Sequence, residues 1–428
     1  MSTERIAHRA LIVLTASLLA ACLGSKSSTS TGGAPPPPVV NTMTVTVDGG
    51  PAAAPGTINR AYVTVRVCVP GSTTQCANID HVLLDTGSWG LRLVRSVLAA
   101  GTVTLAAETD AQGRAIEECV KFGGGLTWGP VALADVTLAG ETAAKVPVQV
   151  MDDTNSGAQL PGTCGTNGSL LNTVAGFGAN GLLGVGVFAQ DCGPACVSGS
   201  TPPAVYYGCT TATTTGVCTA EFVTLAEQVT NPVALFAADN NGVIVNMPNL
   251  INANGDASVQ GELTFGIATQ SDNALPVSGL TVLGADTATG DFKATYMSAT
   301  YSSGVIPALI DSGTDDYTFD DPTIAVCSTT SNPPSRGMWV GDYCPANAPQ
   351  SVSATNIGVG ANNATNTVSF AIADPNTFLD TQAAFSGLAG GRTSTTFTWG
   401  MPFFYGKKIY IGIEGKAAGT FTGPYYAY

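Results

Sequence analysis

Histidine is nearly absent. The 428 residues contain two, His8 and His81. Metal sites built on imidazoles, and nucleophiles activated by a histidine base, need more than this inventory supplies. His81 precedes an apolar run and reads as structural. Charge is also scarce, at 11% of residues, and lopsided, with 16 basic against 30 acidic residues and a net charge of −14. That balance argues against nucleic acid as a partner and against electrostatic adhesion to anionic lipid. No Cys-x-x-Cys pair occurs. The glycine-rich stretch Phe122–Gly129 lacks the Lys-Ser/Thr of a phosphate-binding loop. The expectation is therefore no cofactor and no metal. Long helical patterns are few as well.

What remains is a chain with 44% hydrophobic residues and 51 glycines, rich in Thr and Val. It reads as β-rich, and it is long enough for two sizeable lobes. The first 21 residues look like an address: Arg5 and Arg9 precede a short apolar stretch, Ala10 to Ala21. The stretch ends in Leu19-Ala20-Ala21-Cys22, which resembles the lipobox of bacterial lipoproteins. The resemblance implies cleavage before Cys22, lipid attachment to Cys22, and membrane attachment through that lipid. With Leu23 rather than Asp next, outer-membrane sorting is expected. Residues 22–41 then form a lipidated tether, flexible in its Ser/Gly part and stiffer at Pro35–Pro38. Losing residues 1–21 removes Arg5, Arg9 and Glu4 and leaves a net charge of −15.

Eleven cysteines minus Cys22 leave ten, an even number that suits five disulfides in an exported protein. Neighbours in sequence suggest Cys68–Cys76, Cys192–Cys196, Cys209–Cys218 and Cys327–Cys344, with Cys119 and Cys164 left over. Connectivity stays open at this point.

Alternation predicts strands at Thr42–Val47, Tyr62–Val69, Ile79–Leu84, Val131–Leu138 and Val146–Val150, and again toward the end at Val368–Ile372 and Ile409–Ile413. Phe122–Gly129 suits a hairpin tip. Apolar residues at 222, 225, 226 and 229 predict a helix over Ala220–Val229, ended by Asn231-Pro232.

Two stretches organise the rest. Val82-Leu83-Leu84-Asp85-Thr86-Gly87-Ser88 delivers a carboxylate into a tight turn, and Ala308-Leu309-Ile310-Asp311-Ser312-Gly313-Thr314 repeats the order 226 residues later. Each is followed, about 90 residues on, by an apolar-glycine segment: Gly181-Leu182-Leu183-Gly184 and Trp399-Gly400. Two carboxylates held together cannot both ionise cheaply, so they share a proton and offer an acid and a base in one place.

With these turns and crossing segments the chain resembles the pepsin-like aspartic proteases, from about residue 42 to 428. The resemblance implies an all-β, bilobal fold of two pseudo-symmetric, β-barrel-like lobes, 42–235 and 236–428, with a cleft between them. It implies a catalytic Asp85/Asp311 dyad. Thr86 and Ser312 would cross-brace the turns, Gly87 and Gly313 would let backbone approach the carboxylates, and Ser88 and Thr314 would bind the outer carboxylate oxygens. The expected activity is endopeptidase cleavage of an extended peptide by a monomer. The alternative is a non-catalytic binding or envelope protein on the same fold. Three departures stand out. The flap position falls on Phe122 or on Trp128, depending on the direction of counting, and neither is the family's Tyr. Arg92 stands where the family carries Trp. Asp315 and Asp316 follow the second turn directly. They read as a solvated acidic turn, and with Asp320 and Asp321 their spacing fits no EF-hand calcium loop.

Overall fold

The structure is a computed structural model, and it describes residues 40–428 apart from 155–158, 166–168, 211–216, 253, 277, 328–340 and 392. The signal segment 1–21, Cys22 and nearly all of the tether lie outside the described residues.

The first half contains β1 (Thr42–Val47), β2 (Ala61–Cys68), β3 (Cys76–Asp85), β4 (Trp89–Val94), β5 (Ala115–Phe122), β6 (Gly125–Leu138), β7 (Glu141–Met151), β8 (Gly181–Val185), β9 (Tyr206–Cys209) and β10 (Cys218–Ala220). The second half adds β11 (Gly242–Met247), β12 (Val259–Phe265), β13 (Val282–Gly284), β14 (Phe292–Met297), β15 (Ser302–Ile310), β16 (Tyr317–Thr318), β17 (Gln350–Ile357) and β18 (Thr365–Ile372). β19 (Ala389–Gly390), β20 (Phe397–Trp399), β21 (Lys407–Gly412), β22 (Ala417–Ala418), β23 (Phe421–Thr422) and β24 (Tyr425–Ala427) complete it. Among the described residues, α-helix is confined to Arg95–Ala100 and Val174–Phe177.

Alternation explains the strands. In β2 the pattern Val63, Val65, Val67 points into the core, while Thr64 and Arg66 face solvent. The strand delivering Asp85, β3, differs from this. Val82, Leu83 and Leu84 are all buried, as expected of a strand covered on both faces.

The chain order inside each half gives the fold its signature. β3 runs parallel to β8, pairing Asp85 with Gly184, and β8 also pairs antiparallel with β4. In the second half β15 runs parallel to β20, and β20 pairs antiparallel with β16. Each Asp turn is thus straddled by a strand that arrives from far along the sequence. This duplicated crossing makes the molecule an all-β, bilobal, pepsin-like fold. The halves are joined by sheet. β1 pairs with β2 of the first half and, over six residues, with β12 of the second. Their cores are continuous from Val45 to Tyr426, and residues 39–428 pack as one compact unit.

The four neighbour pairs form, Cys68–Cys76, Cys192–Cys196, Cys209–Cys218 and Cys327–Cys344, and the two cysteines left over, Cys119 and Cys164, are bonded to each other. The helix expected over Ala220–Val229 does not form. Cys218–Ala220 is strand β10, and the rest is extended chain with one turn. Leu225, on the expected apolar face, is 42% exposed, whereas Val223 and Val229 are buried against Ile116, Cys196 and Tyr206. The backbone is held from outside: Val223 N–H donates to the Cys196 carbonyl and Val229 N–H to the Tyr206 hydroxyl. Tertiary partners override a weak helical spacing.

Candidate active site

β3 and β15 bring Asp85 and Asp311 side by side, and the two turns mirror one another. Gly87 N–H donates to Asp85 Oδ1 at 2.8 Å, and Gly313 N–H to Asp311 Oδ1 at 2.8 Å. Ser88 Oγ donates to Asp85 Oδ2 at 2.6 Å, and Thr314 Oγ1 to Asp311 Oδ2 at 2.7 Å. Between the turns, Ser312 N–H donates to Thr86 Oγ1 at 3.0 Å, and Thr86 N–H to Ser312 Oγ at 3.2 Å. Each hydroxyl then donates across the interface, Thr86 to the Ile310 carbonyl at 2.9 Å and Ser312 to the Leu84 carbonyl at 2.7 Å. Thr86 and Ser312 are fully buried. This bracing demands a short hydroxyl residue after each aspartate.

The glycines are required by space. A methyl group on Gly87 would lie 2.5 Å from Asp311 Cγ, and one on Gly313 would lie 2.7 Å from Asp85 Cγ. Any side chain at either position would push the carboxyls apart.

Burial raises the Asp85 carboxyl well above the ordinary carboxylate range, and the neighbouring Asp311 charge and a hydrogen bond to Asp311 raise it further. Hydrogen bonds from Ser88 and Gly87 pull the other way without cancelling this. A carboxyl in this setting holds a proton that its partner accepts.

The pair opens on a cavity of about 600 Å³, lined by Trp89, Arg92, Val120, Phe122, Asp191 and Val205 together with the carboxyls. Its roof is the β5–β6 hairpin. Of the two flap candidates, Phe122 lies at the hairpin tip and lines the cavity. Trp128 does not. It is 3% exposed, pairs with Cys119 along the hairpin and packs edge-on against Tyr207. The hairpin is braced on both edges. β5 pairs with β9 from Ala115 to Glu118, Cys119 is bonded to Cys164, and Leu126 exchanges backbone hydrogen bonds with Ser169 and Leu171. Gly125 has φ +155°, and a methyl there would lie 2.3 Å from the Ser169 carbonyl, so the second brace depends on glycine.

Behind the flap lies an ionic cluster that sequence reasoning missed. Arg92, 1% exposed, donates to the Trp89 carbonyl at 2.7 Å, to Glu118 Oε1 at 2.7 Å and to Asp191 at 3.1 Å. Tyr206 donates to Asp191 at 2.5 Å. Burial alone would lower the Arg92 guanidinium, but Glu118 and Asp191 outweigh it, and the net shift is upward. Burial raises Glu118 well above its usual range, against the opposing pull of Arg92. Only the unusual Arg92 hinted at this. Its partners lie 26 and 99 residues away.

Asp315 and Asp316 are half-buried, so they are not the solvated turn expected of them. Burial raises both, Asp316 to about 7, and Asp342 nearby rises to about 8. Among the described residues no group of three His, Cys, Asp or Glu is disposed to hold a metal. His81 lies outside the cavity lining. Its ring nitrogens face Asp48 at 3.4 Å and Asp80 at 3.1 Å.

Residues 37–428 match the family described as "Protein of unknown function (DUF3443)". The chain belongs to the DUF3443 family. No curated protein matches it. Among solved structures, an aspartic proteinase from Irpex lacteus is similar at 14% identity and a TM-score of 0.48, covering 90% of this chain and 96% of that one. The fold assignment of this DUF3443 chain rests on the strand crossings and the paired turns.

Proposed function

We propose that this chain is an aspartic endopeptidase of the bacterial cell envelope. The observation that carries the reading is the reciprocal packing of the turns, in which each glycine lies against the carboxyl of the other half. Two touching carboxyls hold one proton between them, the behaviour known for the dyad of pepsin-like proteases. The catalytic residues are Asp85 and Asp311. The ionised carboxylate takes a proton from a water as the water oxygen bonds to the substrate carbonyl carbon. The protonated carboxyl gives its proton to the carbonyl oxygen. Collapse of the tetrahedral species breaks the C–N bond, and a proton passes to the leaving amine. Thr86 and Ser312 keep the carboxyls in contact, while Ser88 and Thr314 hold the outer oxygens so that the inner ones face substrate. The substrate is an extended peptide lying under the Phe122 tip. The protein acts as a monomer, in two lobes divided near residue 235 and held by lipid on Cys22, most consistent with the outer membrane.

The test is cleavage of a peptide library from pH 3 to 7, with and without pepstatin. Wild type is expected to cleave. Asp85→Asn and Asp311→Asn are each expected to fold and to lose at least about 10²–10⁴-fold in rate. A wild type that cleaves nothing favours a binding or envelope protein on the same fold, a reading that Phe122 supports because its ring carries no hydroxyl. An Asp311→Asn variant that cleaves as well as wild type removes the dyad from the mechanism.

A further inference from the structure

Phe122 is the anchor of the flap tip. Beyond it lie Gly123 and Gly124, which have no side chains to dock, and Lys121 before it is exposed. Space around the tip is open: a methyl on Gly123 would meet nothing within 4 Å. Phe122 packs against the apolar cluster that holds Tyr62, Leu83 and Leu182, and its ring makes two directed contacts. One is with Phe177, edge-on at 6.2 Å. The other is with the Arg92 guanidinium, 5.9 Å from the ring centroid.

Arg92 is well suited to act on a ring. Its three hydrogen bonds, to Trp89, Glu118 and Asp191, fix the guanidinium and leave little freedom. A planar cation held out of water is attracted to an aromatic face more strongly than one in solvent. Trp89, whose carbonyl Arg92 grips, begins the strand that leaves the Asp85 turn, and Glu118 sits at the root of the flap. One side chain therefore ties the first turn, the flap root and the flap tip together.

We infer that Arg92 is the positioning residue of the flap, seating the Phe122 ring by a cation–π contact and so holding the tip over the Asp85/Asp311 pair. The inference deepens the endopeptidase reading and rests on it for its kinetic arm alone. A purely structural Arg92, present only to neutralise Glu118 and Asp191, would be indifferent to the electron density of the ring at 122. The inferred role is not.

The experiment reads flap position directly, by the rate at which trypsin cuts after Lys121 in the full chain carrying Asp85→Asn, followed by mass spectrometry. Phe122→Leu is expected to speed this cut about three- to tenfold, the size expected of losing one partly desolvated cation–π contact. Stepwise fluorination of the Phe122 ring should speed it in graded fashion, and Phe122→Trp should slow it. Arg92→Lys should speed the cut with Phe122 present and add nothing on top of Phe122→Leu. In the active protein, Phe122→Leu should raise KM by a similar factor with kcat nearly unchanged. Equal cutting across the fluorinated series overturns the inference, as does a wild-type cutting rate in Phe122→Leu. Should Arg92→Lys fail to fold, the fluorinated series decides, because it leaves Arg92 untouched. If the wild type cleaves no peptide, the endopeptidase reading falls while the cutting rates still decide the role of Arg92.

Discussion

The cross-brace between the turns makes a sharp quantitative prediction through Thr86→Val. Valine keeps the branched shape and loses one hydroxyl. That hydroxyl accepts from Ser312 N–H at 3.0 Å and donates to the Ile310 carbonyl at 2.9 Å. Thr86 and Ser312 are fully buried, so water cannot replace the lost partner. Two buried backbone groups are orphaned at about 1–3 kcal/mol each, giving an expected destabilisation of about 2–6 kcal/mol. Thr86→Ser retains the hydroxyl and loses only a methyl, so its cost should be about 1 kcal/mol. The assay is urea unfolding followed by tryptophan fluorescence with disulfides intact, comparing the three proteins at one pH. The turns also lose register, so any peptide cleavage should fall further in Thr86→Val than in Thr86→Ser. A Thr86→Val protein within about 0.5 kcal/mol of wild type would refute the reasoning, since the hydroxyl would then be holding nothing.

Stability should fall as pH rises. Glu117, Asp316 and Asp342 have folded pKa values raised to about 8, 7 and 8. A raised carboxyl contributes stability that is fully present below its unfolded pKa near 4 and lost as pH climbs through the folded value. The urea midpoint should therefore be higher at pH 5 than at pH 8, and Asp342→Asn should narrow the gap by stabilising the protein at pH 8. A midpoint that rises with pH would contradict this. Replacing Cys119 and Cys164 together by Ala should cost about 4 kcal/mol, from the entropy of a loop spanning 45 residues, measured by the same unfolding assay. Cys22→Ser should move the protein from the membrane fraction to the soluble fraction, and retention in membranes with residues 1–21 still attached would count against lipidation.

The dyad was legible because its signal is local and occurs twice. An aspartate after an apolar run, followed by Thr/Ser and Gly, can be read without knowing the partner, and the repeat supplies the partner. Gly184 and Trp399 were legible for the same reason. The disulfides were readable where cysteines are close in sequence. The Arg92 cluster was not, because Glu118 and Asp191 carry no periodic mark that joins them to Arg92. Ala220–Val229 misled because a helical spacing of four apolar residues costs a chain little to mimic, and the Cys192–Cys196 loop with Tyr206 supplied other burial. Phe122 and Trp128 could not be separated by counting, since the answer depends on where the hairpin turns. Pairing of Phe122 with Gly125 decides it.

The bracing of the flap on both edges bears on timescale. A free hairpin over a cleft opens and shuts as a lid, typically in microseconds to milliseconds, and such motion sets turnover in many enzymes. Here the lower hairpin is an interior part of a sheet, with β9 along one edge, the 169–171 segment at the other and a covalent bond at Cys119. Lifting it would mean unzipping a sheet, an event on the scale of local unfolding rather than of loop motion. Mobility is left to the few residues between Val120 and Gly125. On the endopeptidase reading, a peptide would reach the carboxyls by sliding in beneath this fixed hairpin rather than by waiting for a lid to lift.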